Sequence, residues 1–205
     1  PEPNLNNRSI YWPRGKVLGG SSSINAMVYV RGHKQDYEEW KTVAPGWGWA
    51  DVEPMFRRME NWLGRPSEGR GSDGPVGITD ITKNVHPVTS AYLEAAVQAG
   101  MPKNNDYNLD DMIGACFYQI TTKDGLRSSA ANAYLKPIAG RQNLKIKTGT
   151  LVTRVLFKDR TAIGVEYSIG GKVMTATANK EIILSGGAIN TPQLLQLSGI
   201  GPSKL

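Results

Sequence analysis

Gly19-Gly20-Ser21-Ser22-Ser23 is the run whose residue types and spacing are best suited to chemistry. Glycines accept positive φ and let backbone approach a ligand, while small serines leave the first N–H groups of a following helix reachable. Unpaired N–H groups and the helix dipole both favour a phosphate at such an end, so a phosphorylated cofactor is the expected occupant. The run is neither a Walker A loop, which ends in Gly-Lys-Ser/Thr, nor Gly-x-Gly-x-x-Gly. A plain glycine turn with a serine cap fits the same residues equally well.

Other reactive side chains are few. Cys116 is the single cysteine, which rules out an internal disulfide and a thiolate metal site and favours a reducing, cytoplasmic setting. It lies in the apolar run Ile113–Tyr118, where an inert buried thiol is expected. Asn25 interrupts an otherwise apolar stretch, and a buried amide there would need partners. Arg127-Ser128-Ser129 opens a second small-residue segment beside a cation; it could bind an anion, but packing against something flat is the favoured reading.

The 205 residues carry 24 basic and 18 acidic side chains, a net charge of +6. The basic residues are scattered, densest at Arg57, Arg58, Arg65 and Arg70, with no stripe or module of the kind nucleic acids need. Nucleic-acid binding is therefore set aside, while a peripheral attraction to an anionic membrane surface is permitted. No apolar run reaches the length of a membrane span and no signal peptide is present. Pro1 in place of methionine suggests a missing or processed N-terminus.

The elements that must position these groups follow from periodicity. Residues 1–13 read as an irregular lead-in, 22–30 as a buried helix, and Asp36–Trp40 as a short helix. Val52, Met55, Phe56, Met59 and Trp62 recur at helical spacing over Asp51–Trp62, and 64–74 reads as a mobile loop. Gly77–Thr79 suggests a strand. A helix over 88–99, with Val88, Tyr92, Ala95, Ala96 and Ala99 inward, should end at Gly100. Asn104–Asp111 reads as polar loop, Cys116–Thr122 as strand, Lys123–Gly125 as turn, and Arg127 to Leu135 as helix.

Five strand-like runs then follow: Leu144–Thr148, Val152–Phe157, Ala162–Tyr167, Lys172–Ala178 and Glu181–Leu184. A glycine turn at Ser185–Gly187 leads into a helix, with Thr191 as its expected cap and Pro192 at its first position. The fold class is accordingly mixed α/β, with a β-meander before a strand, turn and helix, like part of a nucleotide-binding domain.

Two distant segments together carry a family resemblance. Gly15-Lys-Val-Leu-Gly-Gly-Ser-Ser-Ser-Ile-Asn-Ala-Met-Val-Tyr-Val-Arg-Gly32 resembles the first signature of the glucose-methanol-choline (GMC) oxidoreductases, flavoenzymes acting on alcohols. Gly187-Ala-Ile-Asn-Thr-Pro-Gln-Leu-Leu-Gln-Leu-Ser-Gly-Ile-Gly201 resembles the second. Pro45-Gly-Trp47, Gly125-Leu-Arg127-Ser128 and Ala133-Tyr-Leu135 fit the family pattern between them.

The resemblance implies a partial FAD-binding domain of the glutathione-reductase-like type plus part of a substrate-domain sheet. Residues 1–40 and 140–205 would form the FAD-binding portion and 41–139 the substrate or cap portion. Leu18, Gly19, Gly20 and Ser21 would approach the FAD pyrophosphate, and Asn25, Ala26 and Val28 the isoalloxazine. Val152 would offer backbone to the adenine, with Gly187 and Ala188 flanking the adenosine side. Where some members attach FAD through a histidine this chain has Ile24, so a non-covalent flavin is expected.

The same resemblance implies an internal fragment of an enzyme like the bacterial alcohol and choline dehydrogenases. The family's glycine fingerprint would precede residue 1 and its catalytic histidine would follow residue 205. His33 and His86 do not occupy the base position, so no catalytic residue is assigned here. The implied reaction takes a small-molecule alcohol, choline-like or primary aliphatic, to an aldehyde, with electrons passing to a quinone-like acceptor or oxygen. The Arg31-Gly32-His33 tail leans towards the aliphatic-alcohol enzymes. A relative of the hydroxynitrile lyases with structural FAD, or a catalytically incomplete binding fragment, remain as alternatives.

Overall fold

The computed structural model describes residues 1–109 and 111–202, which divide into a unit spanning Pro1–Arg141 and a second running from Gln142 onward. Both helix and strand are present, so the architecture is mixed α/β.

In the first unit, α1 (Lys34–Val43) and α2 (Trp49–Met59) form a helical pair. His33 caps α1 by accepting the Gln35 N–H at Nδ1, 3.1 Å away. Asp51, in the first turn of α2, accepts the Gly48 N–H at 3.0 Å. Tyr37 joins the pair, its ring 5.7 Å from Trp40, 5.6 Å from Trp49 and 5.9 Å from Phe56, so the aromatics do turn towards one another.

The helical repeat expected through Trp62 stops at Met59, because Glu60–Trp62 leaves the helix as β1. β1 pairs parallel to β2 (Val76–Asp80), and β2 pairs antiparallel to β3 (Gln119–Ile120). Ile78 is the fully buried centre of a small core with Tyr29, Val76 and Ala133, flanked by Met59 and Trp62. The hairpin of β4 (Thr122–Lys123) and β5 (Leu126–Arg127) turns through Asp124 and Gly125, both at positive φ as a two-residue hairpin demands. Of the Cys116–Thr122 run only Gln119, Ile120 and Thr122 are strand, and Lys123, expected in the turn, continues β4.

Several expectations fail in this unit. Residues 22–30 are not a buried helix: a 3-10 turn over Gly20–Ser23 ends there, and Met27 at φ 64° sends the chain into extended backbone. The 64–74 loop is not free to wander, because Arg70 is buried and bonded on every side. α3 (Pro87–Gln98) forms, capped by His86 Nδ1 accepting the Val88 N–H at 3.2 Å, but it buries no residue and leaves Val88 and Tyr92 exposed. The polar loop after Asn104 carries buried Tyr107 and Asn108, and Asp110 within it lies outside the described residues. The helix expected from Arg127 shrinks to a π-helical turn over Ala131–Leu135 and a 3-10 turn over Lys136–Ile138.

The second unit is an antiparallel meander, β6 (Thr150–Lys158), β7 (Thr161–Ile169) and β8 (Lys172–Thr177), followed by α4 (Gly187–Leu197). Val155, Gly164 and Tyr167 are the buried ones among its described residues, and the register of β6 against β7 shifts between Val152 and Arg154. Ser198 Oγ donates to Leu194 O at 2.6 Å and accepts Val155 N–H at 2.8 Å, tying the end of α4 to β6. Leu144–Thr148 and Glu181–Leu184 are apolar enough for strands but find no ladder partner among the described residues. Thr191 does not cap α4. The helix already begins at Gly187, Pro192 falls inside it, and Thr191 Oγ1 instead accepts the Gly186 N–H at 3.0 Å.

Candidate functional site

The glycine-serine run folds as a loop whose hydroxyls point back into it. Ser22 Oγ donates to Gly19 O at 2.5 Å and Ser23 Oγ to Leu18 O at 2.8 Å, while Ser21 Oγ accepts Gly15 N–H at 3.3 Å. Gly19 stands at φ 86°, and a Cβ there would sit 2.5 Å from Ser23 Oγ and 3.0 Å from Ala131 N. Gly20, at φ 55°, differs: a Cβ there would meet nothing within 4 Å. The loop therefore needs its first glycine for its own packing and leaves the second open to the outside. The surface it offers is backbone rather than hydroxyl.

Arg127 anchors this loop. Its Nη1 donates to Ser22 O at 3.2 Å, Asn25 O at 2.9 Å and Asn25 Oδ1 at 2.8 Å, and Ala130 N–H donates to Ser22 Oγ at 2.9 Å. The small-residue segment at 127–131 thus packs on the loop. Asn25 is exposed, contrary to the expected buried amide, because its Oδ1 turns back to accept Met27 N–H at 3.0 Å. Its Nδ2 has no protein partner among the described residues.

Beyond Met27 the chain runs as an extended strap alongside β3. Thr121 N–H donates to Met27 O at 2.8 Å and Tyr29 N–H to Gln119 O at 2.9 Å. Side chains alternate: Tyr29 and Arg31 are buried, whereas Ala26, Val28 and Val30 face out, the two valines 39% and 46% exposed.

Behind the strap lies a buried polar network that periodicity and composition do not disclose. Glu60, 0% exposed, accepts from Arg31 Nη2, from Arg70 Nε at 2.9 Å and Nη2 at 3.2 Å, and from Gly71 N–H at 2.7 Å. Arg70 Nη1 reaches Asp106 Oδ1 at 2.9 Å, Asp106 Oδ2 at 2.7 Å and Gln119 Oε1 at 2.8 Å. Two arginines face two carboxylates, so the cluster is neutral as a whole. Burial pulls the Arg70 pKa down, but Glu60 and Asp106 more than offset it, leaving Arg70 above its ordinary value. Burial, then the Glu60 charge, pushes the Tyr29 phenol well above its usual range. Arg70 also lies 4.0 Å over the Trp62 ring.

The expected site residues fall into two groups. Leu18, Gly19, Gly20, Ser21, Asn25, Ala26 and Val28 come together on the loop and strap of the first unit. Val152, Gly187 and Ala188 lie in the second, Val152 on β6 beside the register shift and the other two exposed at the start of α4. Arg31, Glu60, Arg70, Asp106, Asn108 and Gln119 escaped sequence reasoning, since each sits in a locally polar or helical context and they meet only in three dimensions.

The fold and the loop define a mixed α/β protein with an open glycine turn backed by small-residue segments. The chain matches the GMC oxidoreductase family over residues 3–205, and it belongs to that family. Human mitochondrial choline dehydrogenase is 51% identical over 198 residues, covering 96% of this chain and 33% of that protein. The alcohol dehydrogenase (acceptor) of Pseudomonas putida is 45% identical over 206 residues, covering 98% and 37%. Among solved structures, an FAD-dependent oxidoreductase from Chaetomium thermophilum superposes with a TM-score of 0.90 at 34% identity, covering 98% of this chain and 37% of that one. The chain thus spans about a third of the length of these curated relatives.

Proposed function

We propose that this chain contributes cofactor contacts to an FAD-dependent enzyme that oxidises an alcohol, choline-like or primary aliphatic, to an aldehyde. The observation that carries the reading is the open backbone at Gly20 next to a strap that presents Ala26 and Val28 outward. The donor set fits the cofactor. The backbone of Leu18, Gly19 and Ser21 suits a pyrophosphate, Gly20 lending open space rather than a donor because its own N–H is bonded to Val17 O at 2.9 Å; exposed Ala26 and Val28 suit a flat ring, and Asn25 Nδ2 is a donor for a polar ring edge.

When bound, FAD supplies the hydride acceptor. Oxidation of the alcohol also releases a proton, and none of the residues described here is assigned to take it. In the second unit, Val152 would offer backbone to the adenine, and Gly187 and Ala188 would hold the adenosine side. Ile24 in place of a histidine makes the attachment non-covalent. We assign 1–40 and 140–205 to cofactor binding and 41–139 to the substrate portion.

The lean of Arg31-Gly32-His33 towards aliphatic alcohols is outweighed by the higher identity to a protein named choline dehydrogenase, 51% against 45%. Choline is therefore the first substrate to test, with oxygen or a quinone-like acceptor taking the electrons. We place the enzyme in the cytoplasm with peripheral membrane association. No described helix is long and apolar enough to cross a membrane.

Anaerobic mixing of the full-length protein with choline, and separately with a primary aliphatic alcohol, tests the reading. Bleaching of the flavin absorbance by either is expected. Substrate turnover with an unbleached flavin would overturn oxidation in favour of a lyase with structural FAD, and flavin that stays with acid-precipitated protein would overturn the non-covalent assignment.

A further inference from the structure

We propose that Glu60 is a positioning residue for the flavin-facing strap, acting through Arg31 and Arg70 without touching the cofactor. The inference rests on the reading above in which Ala26 and Val28 face the isoalloxazine, and it adds the device that fixes where they stand.

The strap is clamped at three alternate residues, and the clamps beyond Met27 are linked to Arg70 through Gln119. Thr121 holds Met27 O through its N–H at 2.8 Å and its Oγ1 at 3.2 Å. Tyr29 O accepts from Tyr107 OH at 2.8 Å and Asn108 Nδ2 at 3.2 Å, and Arg31 N–H donates to Asn108 Oδ1 at 2.7 Å. Asn108 Nδ2 in turn donates to Gln119 Oε1 at 2.8 Å, the oxygen that also accepts from Arg70. Gln119 Nε2 donates to Asp106 Oδ1 at 2.7 Å. Glu60 closes the network, since it takes Arg31 of the strap and Arg70 of the loop on one oxygen.

Stability alone does not call for this arrangement. A buried ionic cluster is often no more stabilising than apolar side chains of the same volume, because desolvation cancels much of the attraction. What it adds is register. In an extended segment a slip of one residue exchanges the two faces, which here would turn Tyr29 and Arg31 outward and Val28 and Val30 inward. Only one register lets Arg31 reach Glu60 while Asn108 reaches Tyr29 and Arg31 backbone, and that register presents Ala26 and Val28.

The test uses full-length protein with FAD, comparing native, Glu60→Gln, Asn108→Ala, and His86→Ala, which loses the α3 cap, as a destabilised control. Asn108→Ala removes the Asn108 bonds to Tyr29 O and Arg31 N–H while leaving the Tyr107 bond to Tyr29 O and both ion pairs of Glu60, so it tests the clamping of the strap even if Glu60→Gln fails to fold. The expected result is that both strap variants, saturated with FAD, shift the flavin absorption spectrum and midpoint potential and lower kcat about tenfold to a hundredfold with KM little changed. His86→Ala should lower Tm alone. Strap variants with native spectrum, potential and kcat and only a lowered Tm would overturn the proposal. Native protein that binds no FAD would overturn the underlying reading instead, and the titration of native protein separates the two failures.

Discussion

Arg70 grips Glu60 with two nitrogens, Nε on Oε1 at 2.9 Å and Nη2 on Oε2 at 3.2 Å, and the two side chains are 1% and 0% exposed. Removing one partner of such a pair leaves an uncompensated charge in a dry site. Arg70→Leu leaves Glu60 held by Arg31 and the Gly71 N–H alone and strips Asp106 of its cation, so the cluster keeps one uncompensated negative charge and the change should cost about 3–5 kcal/mol in urea unfolding of the full-length protein. Arg70→Lys keeps the charge but not the planar fork, and its loss should fall between native and Arg70→Leu.

The two glycines of the loop should respond differently to the same change. Gly19→Ala combines positive φ with a Cβ 2.5 Å from Ser23 Oγ and should cost about 2 kcal/mol or more. Gly20→Ala meets no neighbour and should cost only about 1 kcal/mol of strain. If backbone at Gly20 meets the cofactor, a larger side chain such as Gly20→Val should reduce FAD occupancy by more than its change in Tm predicts. Flavin content per polypeptide, set beside Tm, checks both.

His33 and His86 are helix caps, each accepting a backbone N–H through Nδ1. Replacing either with alanine should cost about 1 kcal/mol, and replacement with aspartate, a good cap, should restore most of it. Neither change should alter the pH profile of kcat in the full-length enzyme, as loss of the alcohol-activating base would.

Cys116 should react slowly. Burial first, and the nearby Asp106 charge second, hold its pKa above the ordinary thiol value. The folded protein thus favours the neutral thiol, and the stability this lends is full below the unfolded thiol pKa and is lost as pH rises through the folded one. The rate of iodoacetamide alkylation plotted against pH should show a midpoint above about 8.5, falling to that value in denaturant.

The sequence by itself determined the glycine loop, the helix ending at Gly100, the Asp124-Gly125 turn and three meander strands, because each depends on residues within a few positions of one another. Glycine at a tight turn or a helix end acts locally, and its signal survives without tertiary context. The family, too, was legible in Gly15–Gly32 and Gly187–Gly201.

Only the tertiary structure decided the rest. Ile24 to Val30 looks helical by its apolar run, yet Asn25 turning onto Met27 N–H and the pull of Tyr29 and Arg31 towards a buried network make it extended. Arg31, Glu60, Arg70 and Asp106 each read as a stop, a helix residue, a loop residue and a polar loop residue. Their charges are tolerable in the interior only because all four meet there, and no local pattern announces a meeting between residues up to 75 positions apart.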